Sequence, residues 1–171
     1  MKRKVRLYIA KKARVFTPTE MTAFITRLCT DFGDIQDCLM VAVAFFGLAR
    51  GIEAIELSNL DIRKCDSIAG DVTIALRRCG KSQSRSTVVN IPKIGEFNTA
   101  LHFSQHCDRV KLLGDERIWW KFDSKNQKFC AQHLGKSYMS KLAQKVAKFN
   151  GLPDSECFSS HSFRRSGQLH W

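Results

Sequence analysis

The sequence predicts an α+β domain that is mostly helical and carries a small antiparallel β-sheet. Three observations predict it. Apolar residues recur at helical spacing between capping and stop signals along most of the chain. Two β-branched runs, 72–76 (VTIAL) and 87–91 (TVVNI), flank a polar, glycine-bearing loop, which is the pattern of a hairpin. A chain of 171 residues with 44% hydrophobic content is long enough for one core, burying roughly 70% of its unfolded surface. One domain over residues 15–171 is expected, preceded by a charge-rich arm or linker over residues 1–14.

The elements follow in order. Thr17, Pro18 and Glu20 have the spacing of a capping box with proline at the first helical position, so a helix starts there. Met21, Phe24, Ile25 and Leu28 form its apolar stripe, and Gly33 is expected to end it. The window 34–49 is apolar around most of its girth, which predicts a central, buried helix. A short helical piece over 53–57 leads to Leu60, Asp61 and Ile62, read as the opening of a sheet whose hairpin follows. Past Pro92, a helix is expected over 95–109 and a second short hairpin or extended loop over 118–130. The window 136–150 is amphipathic, with Leu142, Val146 and Phe149 towards the core and Lys141, Lys145 and Lys148 away from it. Gly151 and Pro153 stop it. A last helix begins at or just before His161, capped by Ser159 or Ser160.

Composition narrows the partners. Lys and Arg number 28 against 16 Asp and Glu, a formal charge of +12, which attracts polyanions over long range and makes nucleic acid the leading candidate. The seven cysteines are an odd number with no C-x-x-C pair, a pattern of reduced thiols in an intracellular protein. The N-terminus is basic without a following apolar stretch, so no signal peptide is expected, and no window is apolar over the length that spans a bilayer.

Four residues suggest a phosphate site. Arg50 precedes Glu53, whose carboxylate can orient a guanidinium fork suited to two phosphate oxygens. Taken alone, the segment favours the plainer reading of Arg50 as a helix-end cation neutralising terminal carbonyls. Lys81 sits in the loop between the two β-branched runs, and Arg85 is its neighbouring alternative. His161 and Arg164, three apart at a helix start, share a face and can bind one anion together.

The segment 47–62 resembles the first signature of tyrosine recombinases, the phage-integrase family. Glu53, Leu57, Asp61 and Ile62 fall at the family's offsets from its first arginine, here Arg50. Lys81 matches the lysine of the family's β-hairpin, and the stretch from His161 to Gly167, HSFRRSG, matches its H-x-x-R motif. With the preceding FNGLPDSE, that stretch is particularly similar to the recombinase-type domains of crypton elements and proteins derived from them. The resemblance implies a helical catalytic domain with a small antiparallel sheet. It also implies DNA breakage and rejoining through a 3′-phosphotyrosyl intermediate, with no metal or nucleotide cofactor. Arg50 and Arg164 would hold the non-bridging oxygens, Lys81 would protonate the leaving 5′ oxygen, and His161 would assist proton transfer. Arg85, Lys141, Lys145 and Arg165 would contact DNA. The implied partners are double-stranded DNA and other recombinase protomers in a synaptic assembly. A nuclear location follows if the host is eukaryotic.

The tyrosines are Tyr8 and Tyr138, and neither follows His161, where the family places its nucleophile and a second His or Trp. The expectation is therefore a C-terminally incomplete catalytic domain that does not cleave DNA alone. The rival reading is a domesticated, non-catalytic DNA-binding or protein-interaction module; a type IB topoisomerase shares the chemistry but fits the motifs less well. Lesser signals are His102 and His106, spaced for a metal but without a second ligand pair, and Trp119-Trp120, read as packing rather than as a base-stacking platform. The row of Lys141, Lys145 and Lys148 is either a solvated face or a phosphate-tracking strip.

Overall fold

The structure, a computed structural model, describes residues 14–79 and 84–170. The described residues form α1 (Pro18–Ile25), α2 (Phe32–Phe46), α3 (Gly51–Ile55), β1 (Ile62–Asp66), β2 (Asp71–Cys79), β3 (Ser84–Ile91), α4 (Thr99–Val110), β4 (Trp120–Asp123), β5 (Lys128–His133), α5 (Tyr138–Phe149) and α6 (Ser160–His170). The expected mostly helical α+β class is what the chain adopts. β1, β2 and β3 make an antiparallel sheet in that order, and β4 and β5 a separate two-stranded ribbon.

α2 is the axis of the molecule. Every residue from Gln36 to Phe45 is buried, so this helix has no solvated face over that span and other elements pack all around it. Its polar residues are therefore satisfied internally. Gln36 donates to the Trp120 carbonyl at 2.9 Å and accepts from the Trp120 amide at 3.0 Å, tying α2 to the ribbon.

α1 starts as expected: Thr17 Oγ1 accepts from the Glu20 amide at 3.2 Å, and Glu20 accepts from the Thr17 amide at 2.7 Å. It stops earlier than expected. The helix ends at Ile25, leaving Leu28 91% exposed and outside the stripe. Gly33 lies in the first turn of α2, where Phe122 of β4 packs so closely that a Cβ would stand 2.7 Å from its ring. The glycine therefore serves helix packing, not helix termination. α2 begins at Phe32 because the Asp31 carboxylate accepts from the Asp34 amide at 2.8 Å.

Two further boundaries differ. α4 starts at Thr99, not residue 95, because Asn98 caps it by accepting from the Leu101 amide. Phe149 closes α5 at 48% exposure, edge-on to Phe24, so it lies at the rim of the core. Trp119, fully buried, donates Nε1–H to the Ala54 carbonyl at 2.7 Å, which matches its reading as packing and gives its polar edge a partner.

Candidate functional site

The site begins at the end of α2. The Leu48 amide reaches the Phe45 carbonyl and the Ala49 amide the Ala44 carbonyl, the paired bonds of a Schellman stop. Leu48 occupies the left-handed position, with φ of 50°, at a cost of about 1 kcal/mol for a residue with a Cβ. This turn reverses the chain in two residues and makes Arg50 the N-cap of α3.

Glu53, in the first turn of α3, then folds back. Its Oε2 accepts from the Arg50 amide at 2.8 Å, and its Oε1 lies 4.0 Å from Arg50 Nε. The same Oε2 stands 3.7 Å from an Arg164 guanidinium nitrogen. One carboxylate, 1% exposed, thus lies against two guanidinium groups that are 47% and 30% exposed. Two cations against one buried anion leave a local surplus of positive charge at the solvent side, the electrostatics of an anion site.

α6 delivers Arg164. The Ser160 amide donates to Ser140 Oγ of α5 at 3.4 Å, and Ser162 Oγ accepts from the Ser159 amide, so Ser159 holds the expected cap position. Gly51 of α3 lies so close that an added Cβ would be 2.6 Å from the Ser160 Cβ. Further along, a Cβ on Gly167 would be 2.5 Å from the Phe45 carbonyl oxygen. Two glycines therefore allow α6 to lie against α3 and the end of α2, and this contact brings Arg164 to Glu53. His161 is exposed on the same helix, one turn before Arg164.

The remaining motif positions are structural. Leu57 is buried, and the buried Asp61 carboxylate accepts from the Ser58 amide and hydroxyl at 3.0 Å while pairing with Arg77 of β2 at 3.2 Å. The offsets after Arg50 thus fasten the arginine turn to the hairpin strand.

The other sequence-predicted residues fall into three groups. Lys81 lies outside the described residues. Arg85 on β3 and Lys141 on α5 are exposed, and Arg165 on α6 is half-buried. Lys145, its side chain 48% exposed, is engaged by the protein itself: its ammonium pairs with Asp34 at 3.0 Å and Asp37 at 2.7 Å. Two carboxylates therefore compete with any phosphate for this ammonium, which sets Lys145 apart from the exposed Lys141.

Tyr138 is the tyrosine among the described residues. Its hydroxyl donates to Asp37 Oδ1 at 2.6 Å, and burial together with that carboxylate raises its pKa above the ordinary phenol value. His106 is buried with Nε2 on the Ile118 carbonyl at 2.6 Å, and His102 stacks on Phe97. Among the described residues no group of three or more His, Cys, Asp or Glu is arranged to hold a metal, and no helix is long and apolar enough to cross a membrane.

Sequence reasoning missed three contributors: Ser140, Trp119 as the anchor of the Ala54 carbonyl, and the contact of Glu53 with Arg164. An indole N–H and a serine at a helix junction were the available signals for the first two; nothing in the spacing pointed to the third.

No protein-family model matches the chain, and no curated protein matches it in sequence. Solved structures do resemble it. The XerH site-specific recombinase bound to difH substrate, in a pre-cleavage complex, is similar with a TM-score of 0.63 and 17% identity, covering 90% of this chain and 41% of that one. XerH in a post-cleavage complex with palindromic difH substrate gives the same TM-score and identity, covering 91% and 41%. The Tn1549 transposon integrase in complex with transposon right end DNA is similar at a TM-score of 0.49 and 13% identity, covering 91% and 52%. The chain spans about 41% of the length of the XerH structures. Its fold is that of a tyrosine-recombinase catalytic domain.

Proposed function

We propose that this chain binds duplex DNA by seating one backbone phosphate against Arg50 and Arg164, as the phosphate-holding part of a tyrosine recombinase of crypton-like type. The observation that carries this reading is the shared, buried Glu53, which lies against both guanidinium groups. Residues far apart in sequence would not converge on one carboxylate merely to decorate a surface. Each arginine offers a planar fork of donors to the non-bridging oxygens, and both forks are partly held before DNA arrives.

In strand cleavage, charge on the phosphate grows as a hydroxyl attacks. Donors fixed in advance stabilise that charge most, and loss of one typically costs on the order of 10²–10³ in rate. In this reading His161 would move a proton at the same phosphate, and Lys81 would serve the leaving 5′ oxygen. Tyr138 is not the nucleophile, since its hydroxyl is already donated to Asp37 and is held protonated there. The attacking tyrosine is therefore not among the described residues.

The bonding of Tyr138 also favours a second reading, a non-catalytic DNA-binding or protein-interaction module of the same fold. One experiment addresses both. Duplex DNA is titrated by fluorescence anisotropy across a salt series, and the same mixtures are denatured and resolved for covalent protein–DNA adducts. Affinity should fall steeply with salt, and Arg164→Ala should reduce the log–log slope by about one phosphate contact. A flat salt dependence contradicts DNA binding through phosphates. Binding without any adduct fits both readings, since Tyr138 is not the nucleophile, whereas an adduct rules out the non-catalytic module.

A further inference from the structure

Cys29 and Cys38 form the one thiol pair in contact among the described residues. Their sulfurs are 3.8 Å apart. Cys38 is buried on α2, held by the Arg27 guanidinium at 2.8 Å and directed at the Phe24 carbonyl. Cys29 lies in the segment joining α1 to α2, half-buried, in the wall of an open cleft of about 460 Å³ that it shares with Arg27, Leu28, Ile35 and Phe97. One sulfur is therefore reachable from solvent and the other is sheltered behind it.

We propose that Cys29 and Cys38 are a peroxide-reactive dithiol, with Cys29 the attacking sulfur and Cys38 the resolving one, interconverting with an intramolecular disulfide. The Cys29 thiolate attacks one oxygen of a hydroperoxide. The O–O bond breaks, giving a sulfenic acid and releasing water or an alcohol once the leaving oxygen takes a proton. Cys38 sulfur then attacks Cys29 sulfur; the S–S bond forms, the S–O bond breaks, and the Cys38 proton leaves with the hydroxide as water. Two thiols lose two electrons in total and the peroxide gains them.

Three features fit this sequence of steps. The sulfurs need to close by less than 2 Å to reach bonding distance (about 2.05 Å), and Cys29 lies between helices, where the chain can shift without breaking either one. Arg27 supplies a fixed positive charge beside both sulfurs. The hydrogen bond from Cys38, opposed by burial and aided by Arg27, lowers the Cys29 pKa to about 7, whereas Cys38 is raised by the same bond and by burial. The thiolate is thus concentrated on the accessible member of the pair.

Trypsin should release residues 28–50 as one peptide, since no Lys or Arg lies between Cys29 and Arg50. The full chain is treated with hydrogen peroxide, alkylated without reduction, digested and weighed. The expected product is peptide 28–50 lighter by two hydrogens, unalkylated, and restored by dithiothreitol. Cys65→Ser should leave it unchanged and Cys29→Ser should abolish it. Cys38→Ser should halt the reaction at a Cys29 sulfenic acid trapped by dimedone. Without peroxide, alkylation of Cys29 at neutral pH should outpace that of Cys65 about tenfold. A peptide alkylated at both cysteines after peroxide, a Cys29 sulfinic acid beside a free Cys38 thiol, or disulfides between molecules would each overturn the proposal.

Discussion

Glu53 carries a side chain 1% exposed against two guanidinium groups, and stripping it of both partners should cost more than the separate losses suggest. Arg50→Ala leaves Arg164 beside the carboxylate, and Arg164→Ala leaves Arg50. The double variant leaves a buried charge without either guanidinium group. In chemical denaturation the double variant should be about 2 kcal/mol less stable than the sum of the singles predicts. Strict additivity there means that the three groups do not form a unit. That Arg50 and Glu53 belong together was legible in the sequence from their spacing of three and from the resemblance to a family signature. The meeting of Glu53 with Arg164 was not legible, because it depends on how α6 lies on α3, and neither segment encodes the other's position. Lys145 shows the opposite case. Helical periodicity placed it correctly on the outer face of α5, but periodicity says nothing of Asp34 and Asp37 waiting on α2.

At the level of elements, two contacts decide where the arginines stand. The first is the close approach of α3 and α6 at Gly51 and Ser160. Gly51→Ala should destabilise the protein by about 1–3 kcal/mol through forced separation of the helices, and adding Ser160→Gly should recover part of that loss; thermal melts of the three variants check it. The second is the bond from Trp119 to the Ala54 carbonyl, which holds the far end of α3. α4 carries a pH-dependent contribution of its own. Burial, offset by the bond to Ile118 and reinforced by Arg109, lowers the His106 pKa to about 4. The folded state keeps the imidazole neutral where the unfolded chain, near 6.5, binds a proton. That stability is present in full above about pH 6.5 and is lost as pH falls towards 4, on the order of 3 kcal/mol in all. Urea denaturation at pH 7 and pH 5 should show the loss, and His106→Gln should flatten it. Helix positions were legible from periodicity and capping residues. Leu28, Gly33 and the start of α4 were misread because a glycine reads alike whether it stops a helix or admits a neighbour, and because Asn98 competes with Gly95 as a start signal.

For the whole molecule, a formal charge of +12 makes some attraction to DNA unavoidable, so affinity alone says little about a site. What distinguishes an assembled phosphate pocket from general basicity is the sign of a single neutralisation. Glu53→Gln keeps a side-chain acceptor for the Arg50 amide and raises the net charge by one, yet removes the anion that holds both guanidinium groups. The most direct measurement is the affinity of the folded Glu53→Gln protein for duplex DNA, beside the parent chain at the same salt, with thermal melts confirming that both are native. Binding weaker by about fivefold, roughly one hydrogen bond to a charged group, is the result predicted here. Tighter binding, as added positive charge alone demands, would contradict the pocket of Arg50 and Arg164.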